Sequence, residues 1–189
     1  MKKTVLTFGL IAGGILSAMM LITMPFHDRI DFDKSEVIGY TTMVLAFLLI
    51  FFGVRSYRDN VAGGTIRFGR AFAVGALIAA VASTCYVATW EVLYFQYFKA
   101  APDFLAKYQA HEIEKARADG ATEAAIAEQK AKLEKMAAMY RNPVFNAAIT
   151  FLEPLPVALV MSLVSAGVLS RRRKSGLPDE GLMAQAPVR

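Results

Sequence analysis

Four apolar blocks, each about twenty residues long and almost free of charge, constrain this chain more than any other feature. They run from about Thr4 to Met24, Val37 to Val54, Ala71 to Tyr94 and Phe145 to Leu169. A hydrocarbon layer about 30 Å thick takes about 20 helical residues to cross. Inside lipid an open chain must be helical, because nothing there pairs with exposed backbone N–H and C=O groups. The composition agrees: 56% of the 189 residues are hydrophobic and only 20% are charged, with a mean hydropathy of +0.40. A soluble domain of this size carries more polar surface. The expected fold class is therefore all-α, a polytopic membrane protein with a four-transmembrane-helix bundle over residues 1–174. An external helical hairpin over about 95–144 joins helices three and four, and 175–189 is expected to be a disordered cytoplasmic tail.

The same numbers exclude several functions. One cysteine, Cys85, rules out a disulfide framework or a cysteine-rich metal site, and His27 and His111 leave little for a metal or a histidine triad. Neither a metal nor a cofactor is expected. The net charge is +5, but the cations flank the apolar blocks, so they read as topology signals and not as a nucleic-acid surface. Lys2-Lys3 before an apolar stretch resembles the start of a signal peptide. The block is long, however, and ends in Met-Pro-Phe-His without a small-x-small cleavage site, so it is expected to be retained.

Three cationic segments fix the expected orientation: Lys2-Lys3, then Arg55, Arg58, Arg67 and Arg70, then Arg171-Arg172-Arg173-Lys174. With four spans all three lie on one side, and the excess of cations makes that side the cytoplasm of a bacterial inner membrane. The other side receives the acid-rich loop from Pro25 to Glu36 and the long segment after span three. That segment is rich in Ala, Glu, Lys and Gln, with no proline from Asp103 to Asn142. Asp119-Gly120 breaks it, Thr122 can cap a second helix carrying the Glu128/Lys132 spacing, and Asn142-Pro143 ends it. A hairpin or two extensions of the spans are both open, as are a partner-binding surface and a plain solvated connector.

Candidate sites are few. Gly9, Gly13 and Ser17 form a small-residue ridge on span one, and Ala71, Gly75, Ala79 and Ser83 form one on span three. Such ridges let helices approach closely, within one bundle or between two copies. Glu91 and Glu153 are the carboxylates within apolar blocks. Glu153 lies about 12 Å inside span four, where a bare charge costs at least about 2.5–3.5 kcal/mol. It should be protonated, paired or turned to a wet cavity, facing the bundle interior with Ser17, Thr42, Ser83 or Thr84 as candidate partners. Pro154 and Pro156 withdraw N–H groups and free carbonyls for a polar pocket. Together Glu153 and Glu91 could form a proton or cation site. The four loop arginines, Arg55, Arg58, Arg67 and Arg70, could contact lipid headgroups or phosphate, or simply anchor topology. Gly63-Gly64 lacks the spacing of a phosphate-binding loop.

Phe52-Gly53-Val54-Arg55-Ser56-Tyr57-Arg58-Asp59, Gly63-Gly64 and Phe68-Gly69-Arg70-Ala71-Phe72 occur in order with Tyr86 through Trp90 and Pro102-Asp103-Phe104. The turn from Asp119 to Glu123, Asn142-Pro143, Thr150-Phe151-Leu152-Glu153 with Pro156, and Ser162 through Ala166 follow. In these motifs the chain, over about residues 3–174, resembles the bacterial membrane family known as domain of unknown function 4199. The resemblance implies a four-helix membrane protein and supplies no catalytic residue. A non-enzymatic bundle that binds lipid, a protein partner or a second copy is the leading expectation. The alternative is a proton- or cation-coupled transporter or channel subunit using Glu153 and Glu91. No catalytic constellation supports an enzyme.

Overall fold

A computed structural model of the chain describes residues 1–26, 32–97 and 103–170. His27, the acids and arginine of the 27–31 loop, Pro102, the Arg171-to-Lys174 stop and the tail expected over 175–189 lie outside the described residues.

The described residues form helices and connecting turns, with no strand among them. α1 spans Lys2–Thr23, α2 Phe32–Asn60, α3 Phe68–Val92, α4 Asp103–Ala118, α5 Glu123–Tyr140, α6 Pro143–Leu152 and α7 Leu155–Leu169. Taking α6 and α7 as one interrupted rod, four helical rods are long and apolar enough to cross a membrane.

The helix ends follow local chemistry. α2 runs beyond its apolar block at both ends, with Asp33 in its first turn and Arg58 in its last, each favourable against the helix dipole. It closes on Gly63 and Gly64, both left-handed at φ 70° and 84°, with the Gly64 N–H donating 2.9 Å to the Arg58 carbonyl. α3 starts after extended Arg67 and continues beyond Val92 as a π-helical turn, Leu93–Tyr97. Gly120, at φ 80°, makes the expected break between α4 and α5, and the Thr122 hydroxyl accepts from the Ala125 N–H at 3.3 Å. Asn142 caps α6 by accepting from Val144 and Phe145 N–H, with Pro143 in the first turn where no donor is missed.

The fourth rod is split where Pro154 and Pro156 remove two helical donors, so α6 ends at Leu152 and α7 begins at Leu155. The long segment is a true hairpin: α4 packs along α5, and α5 returns onto α6. α3 is the central rod and packs against α1, α2, α6 and α7. One apolar core runs through these contacts, built on Ala12, Phe47, Ile50, Val54, Val74, Ile78 and Ala82, all fully buried. Outward-facing leucines, isoleucines and valines cover the rods, as expected of surfaces that meet lipid. The bundle has an arginine end, at the α2–α3 turn, and a hairpin end, at α4 and α5.

Candidate functional site

At the arginine end, the turn between α2 and α3 and the last residues of α7 enclose a recess of about 1520 Å³. Arg55, Arg58, Arg67 and Arg70 line it together with Asp59, so all four candidate arginines converge on one place. Asp59 is engaged by two of them: Arg58 Nε donates at 2.7 Å and Arg55 Nε lies at 3.6 Å. Arg67 and Arg70 form no ion pair with any described residue. The first turn of α3 opens here without a side-chain cap, which adds the positive end of a helix dipole. Ile66, Val168 and Leu169 supply apolar walls. Two loose guanidiniums, an uncapped helix start and an apolar wall suit an anion that carries an apolar body.

At the hairpin end the polar groups of different helices meet. Tyr86 of α3 donates its hydroxyl at 3.0 Å to Oε2 of Glu153, which sits in the break between α6 and α7. The paired state is therefore what the structure adopts, but none of the expected partners supplies it. Thr42 and Thr84 bond back to Ile38 and Ala80 carbonyls of their own helices, and Ser17 turns to α3. Ser83 is fully buried, and its Oγ has no partner among the described residues. The interior placement of Glu153 is also corrected: its side chain reaches α3, yet the residue is exposed and lies outside the buried core. Pro154, by contrast, is fully buried.

Glu91 does not join Glu153. Five residues past Tyr86 turn a helix about 140°, which carries Glu91 round to another face of α3. Its Oε1 is covered and has no hydrogen-bond partner among the described residues. The envisaged pair of carboxylates is thus two separate groups.

A second cluster lies beside Glu153 and escaped the sequence reading. Trp90 Nε1 donates at 2.8 Å to Oδ1 of Asn146, which also accepts from Thr150 Oγ1 at 3.2 Å. The Asn146 amide donates to the Tyr140 carbonyl at 3.2 Å, so a side chain with no exposed surface joins α3, α5 and α6. The rings of Trp90, Tyr94, Tyr140 and Phe145 meet in successive tilted and edge-on contacts with centroids 5.8–6.3 Å apart. The only advance signal was an amide and an indole inside apolar blocks, both of which need partners when buried.

The small-residue ridges are used inside the chain. A methyl group added at Gly9 would come within 2.7 Å of the Val81 side chain and 3.1 Å of the Ile78 carbonyl. One at Gly13 would come within 2.6 Å of Cys85 Cβ and 3.2 Å of Ala82 Cα. Ser17 continues the same seam by bonding to Thr89 Oγ1 at 2.8 Å. On the other side of α3, Gly75 lies against Ile50 and Ser162, and Ala79 is buried.

The hairpin is tied to the start of α2. Lys115 Nζ of α4 lies 2.7 Å from Asp33 Oδ1, and His111 Nε2 is 3.6 Å from the same oxygen. The Asp33 carboxylate raises the Lys115 ammonium above the usual lysine range by hydrogen bond and charge. On α5 the expected Glu128–Lys132 pair forms at 2.7 Å and lowers the Glu128 carboxyl. Among the described residues no group of three His, Cys, Asp or Glu side chains could hold a metal.

A family profile described as a protein of unknown function (DUF4199) matches residues 7–171. No curated protein and no solved structure matches the chain. The chain belongs to that family, and with four membrane-length apolar rods it is an integral membrane protein of unassigned activity.

Proposed function

We propose that this member of the DUF4199 family is a non-enzymatic bundle that binds the phosphate headgroup of an anionic lipid in its arginine recess. Both termini then lie on the cytoplasmic side of a bacterial inner membrane. The observation that carries the reading is the convergence of Arg55, Arg58, Arg67 and Arg70 on one recess whose single acid among the described residues, Asp59, is already engaged. Anchoring alone asks only that cations reach the interface. It does not ask that four of them share a walled space with Arg67 and Arg70 left without a carboxylate. Near an anionic leaflet each cation contributes about 1 kcal/mol, and planar guanidiniums match phosphate oxygens in paired hydrogen bonds.

A transporter or channel subunit built on Glu153 and Glu91 is the second reading. The separation of the two carboxylates on α3 and the fourth rod weighs against it. The small-residue seams, occupied within the chain, weigh against a copy-to-copy contact through them.

The test is native mass spectrometry of the detergent-solubilised protein titrated with phosphatidylglycerol and with phosphatidylcholine. Phosphatidylglycerol should be retained at least tenfold better, and the double variant Arg67→Gln/Arg70→Gln should lose that preference. Equal retention of the two lipids by wild type would overturn the reading.

A further inference from the structure

We infer that the exposed face around Glu153, in the hairpin half, binds a monovalent organic cation, an amine or quaternary ammonium ion. The site is independent of the arginine recess and lies at the opposite end of the bundle.

Glu153 stands in the break of the fourth rod, and a single bond from Tyr86 reaches only one of its two oxygens. No basic side chain among the described residues pairs with it, and the residue is exposed, so Oε1 is free to meet a ligand. Carboxylates set into an apolar rod are costly unless a counter-charge or proton answers them. The break adds further acceptors. Pro154 and Pro156 cannot donate to the carbonyls of Thr150 and Leu152, which leaves both without their helical partner in the turn just before Glu153.

The surroundings select the class of cation. Tyr40 of α2, Tyr86 of α3, Tyr108 of α4 and Tyr140 of α5 bring phenols from four helices into electrostatic range of Glu153 or of one another. Tyr40 and Tyr108 are exposed. A carboxylate within aromatic rings is the chemistry that recognises ammonium groups, since the rings attract diffuse positive charge while the carboxylate fixes its position. A bare metal ion would instead need a closed shell of oxygens, and one free carboxylate oxygen is a poor start for one.

The full chain in detergent is titrated with tetramethylammonium chloride and, at matched ionic strength, with sodium chloride, and thermal unfolding is followed. Tetramethylammonium should raise the midpoint saturably in wild type, with sodium giving no saturable effect. Glu153→Gln keeps shape and can still accept from Tyr86, and it should weaken the response at least tenfold. Tyr108→Leu, which lies on the hairpin and spares the rods, should weaken it several-fold and serves if the first variant does not fold. Arg67→Gln/Arg70→Gln should respond as wild type does, which separates this site from the headgroup site. No saturable stabilisation by tetramethylammonium, an equal response to sodium, or an unchanged response in Glu153→Gln would each overturn the inference.

Discussion

Along the seam between α1 and α3, Gly9 and Gly13 meet Ile78, Val81, Ala82 and Cys85 with no room for a methyl group. One turn nearer the hairpin, the same two helices are joined by Ser17 and Thr89 hydroxyls 2.8 Å apart. The fourth rod repeats the change. α7 lies on α2 and α3 with Ser162 against Gly75, whereas α6 is held to α3 by Trp90–Asn146, with Tyr86–Glu153 at the break beyond it. Among the described residues, the side-chain hydrogen bonds between apolar rods all lie in the hairpin half. The arginine half is joined by close approach, the hairpin half by polar contacts. Lipid explains why both devices occur: apolar side chains gain little by leaving hydrocarbon for each other, so rods associate through tight packing or interhelical bonds. The difference lies in what each leaves behind. Close packing leaves no charged side chain between the described rods, while polar groups in a half that also contains a helix break leave a carboxylate oxygen uncommitted.

The largest effect should come from breaking the packed half. Gly13→Leu places a side chain against the Ala82 backbone, which cannot give way as a flexible side chain does. Overfilling a packed seam costs typically 1–3 kcal/mol, and a leucine here should cost about 3 kcal/mol, read as loss of folded protein in an SDS titration. Wild-type stability in this variant would mean that the seam is not closed. A smaller loss is expected in the polar half. Asn146→Ala strands the Trp90 indole N–H and the Thr150 hydroxyl and should cost about 2 kcal/mol. Trp90→Phe in that background should then add little, because the two residues share one interaction. Additive losses would show that Asn146 is not the hub of the polar half.

The smallest effect concerns the hairpin itself. Lys115 is raised above its ordinary 10.5 by Asp33, so the charged link contributes fully below that pH and is lost as pH rises through the raised value. A nitroxide at Ala124, in a Cys85→Ala background, should show the same mobility from pH 6 to about 9 and a rise above about 10.5. Lys115→Gln should show the higher mobility throughout. A wild-type label that loosens as the pH is lowered from 9 to 7 would contradict the sign of the link.

The features legible from the sequence were those decided by neighbours in the chain. The four spans follow from local hydropathy, and the turn at Gly120, the cap at Thr122, the helix end before Asn142-Pro143 and the weak point at Pro154 follow from residue chemistry within a few positions. The arginine recess was half legible: four arginines in one short turn must lie near each other, but the walls from α7 and the engagement of Asp59 required the fold. The hairpin-end site was least legible. Tyr86 and Glu153 are 67 positions apart, and Trp90 and Asn146 are 56 apart. Their meeting depends on how α3 and the fourth rod are rotated about their axes, and nearly uniform apolar sequences do not mark that rotation. For the same reason Glu91 looked like a companion of Glu153: depth in the membrane can be counted along a sequence, but the face of a rod cannot.

The split of the fourth rod also bears on how the chain enters the bilayer. α6 has 10 residues and α7 has 15, about 15 and 22 Å of helix, so neither reaches across about 30 Å of hydrocarbon alone. The fourth crossing must therefore insert as one piece, carrying an acid, an amide and three prolines with it. It also leaves the ribosome after α3. By then α3 has been made, and the Tyr86 hydroxyl and Trp90 indole that Glu153 and Asn146 need are already in place. The order of translation thus supplies each donor before its acceptor arrives, and the most polar crossing meets a prepared protein surface instead of bare lipid.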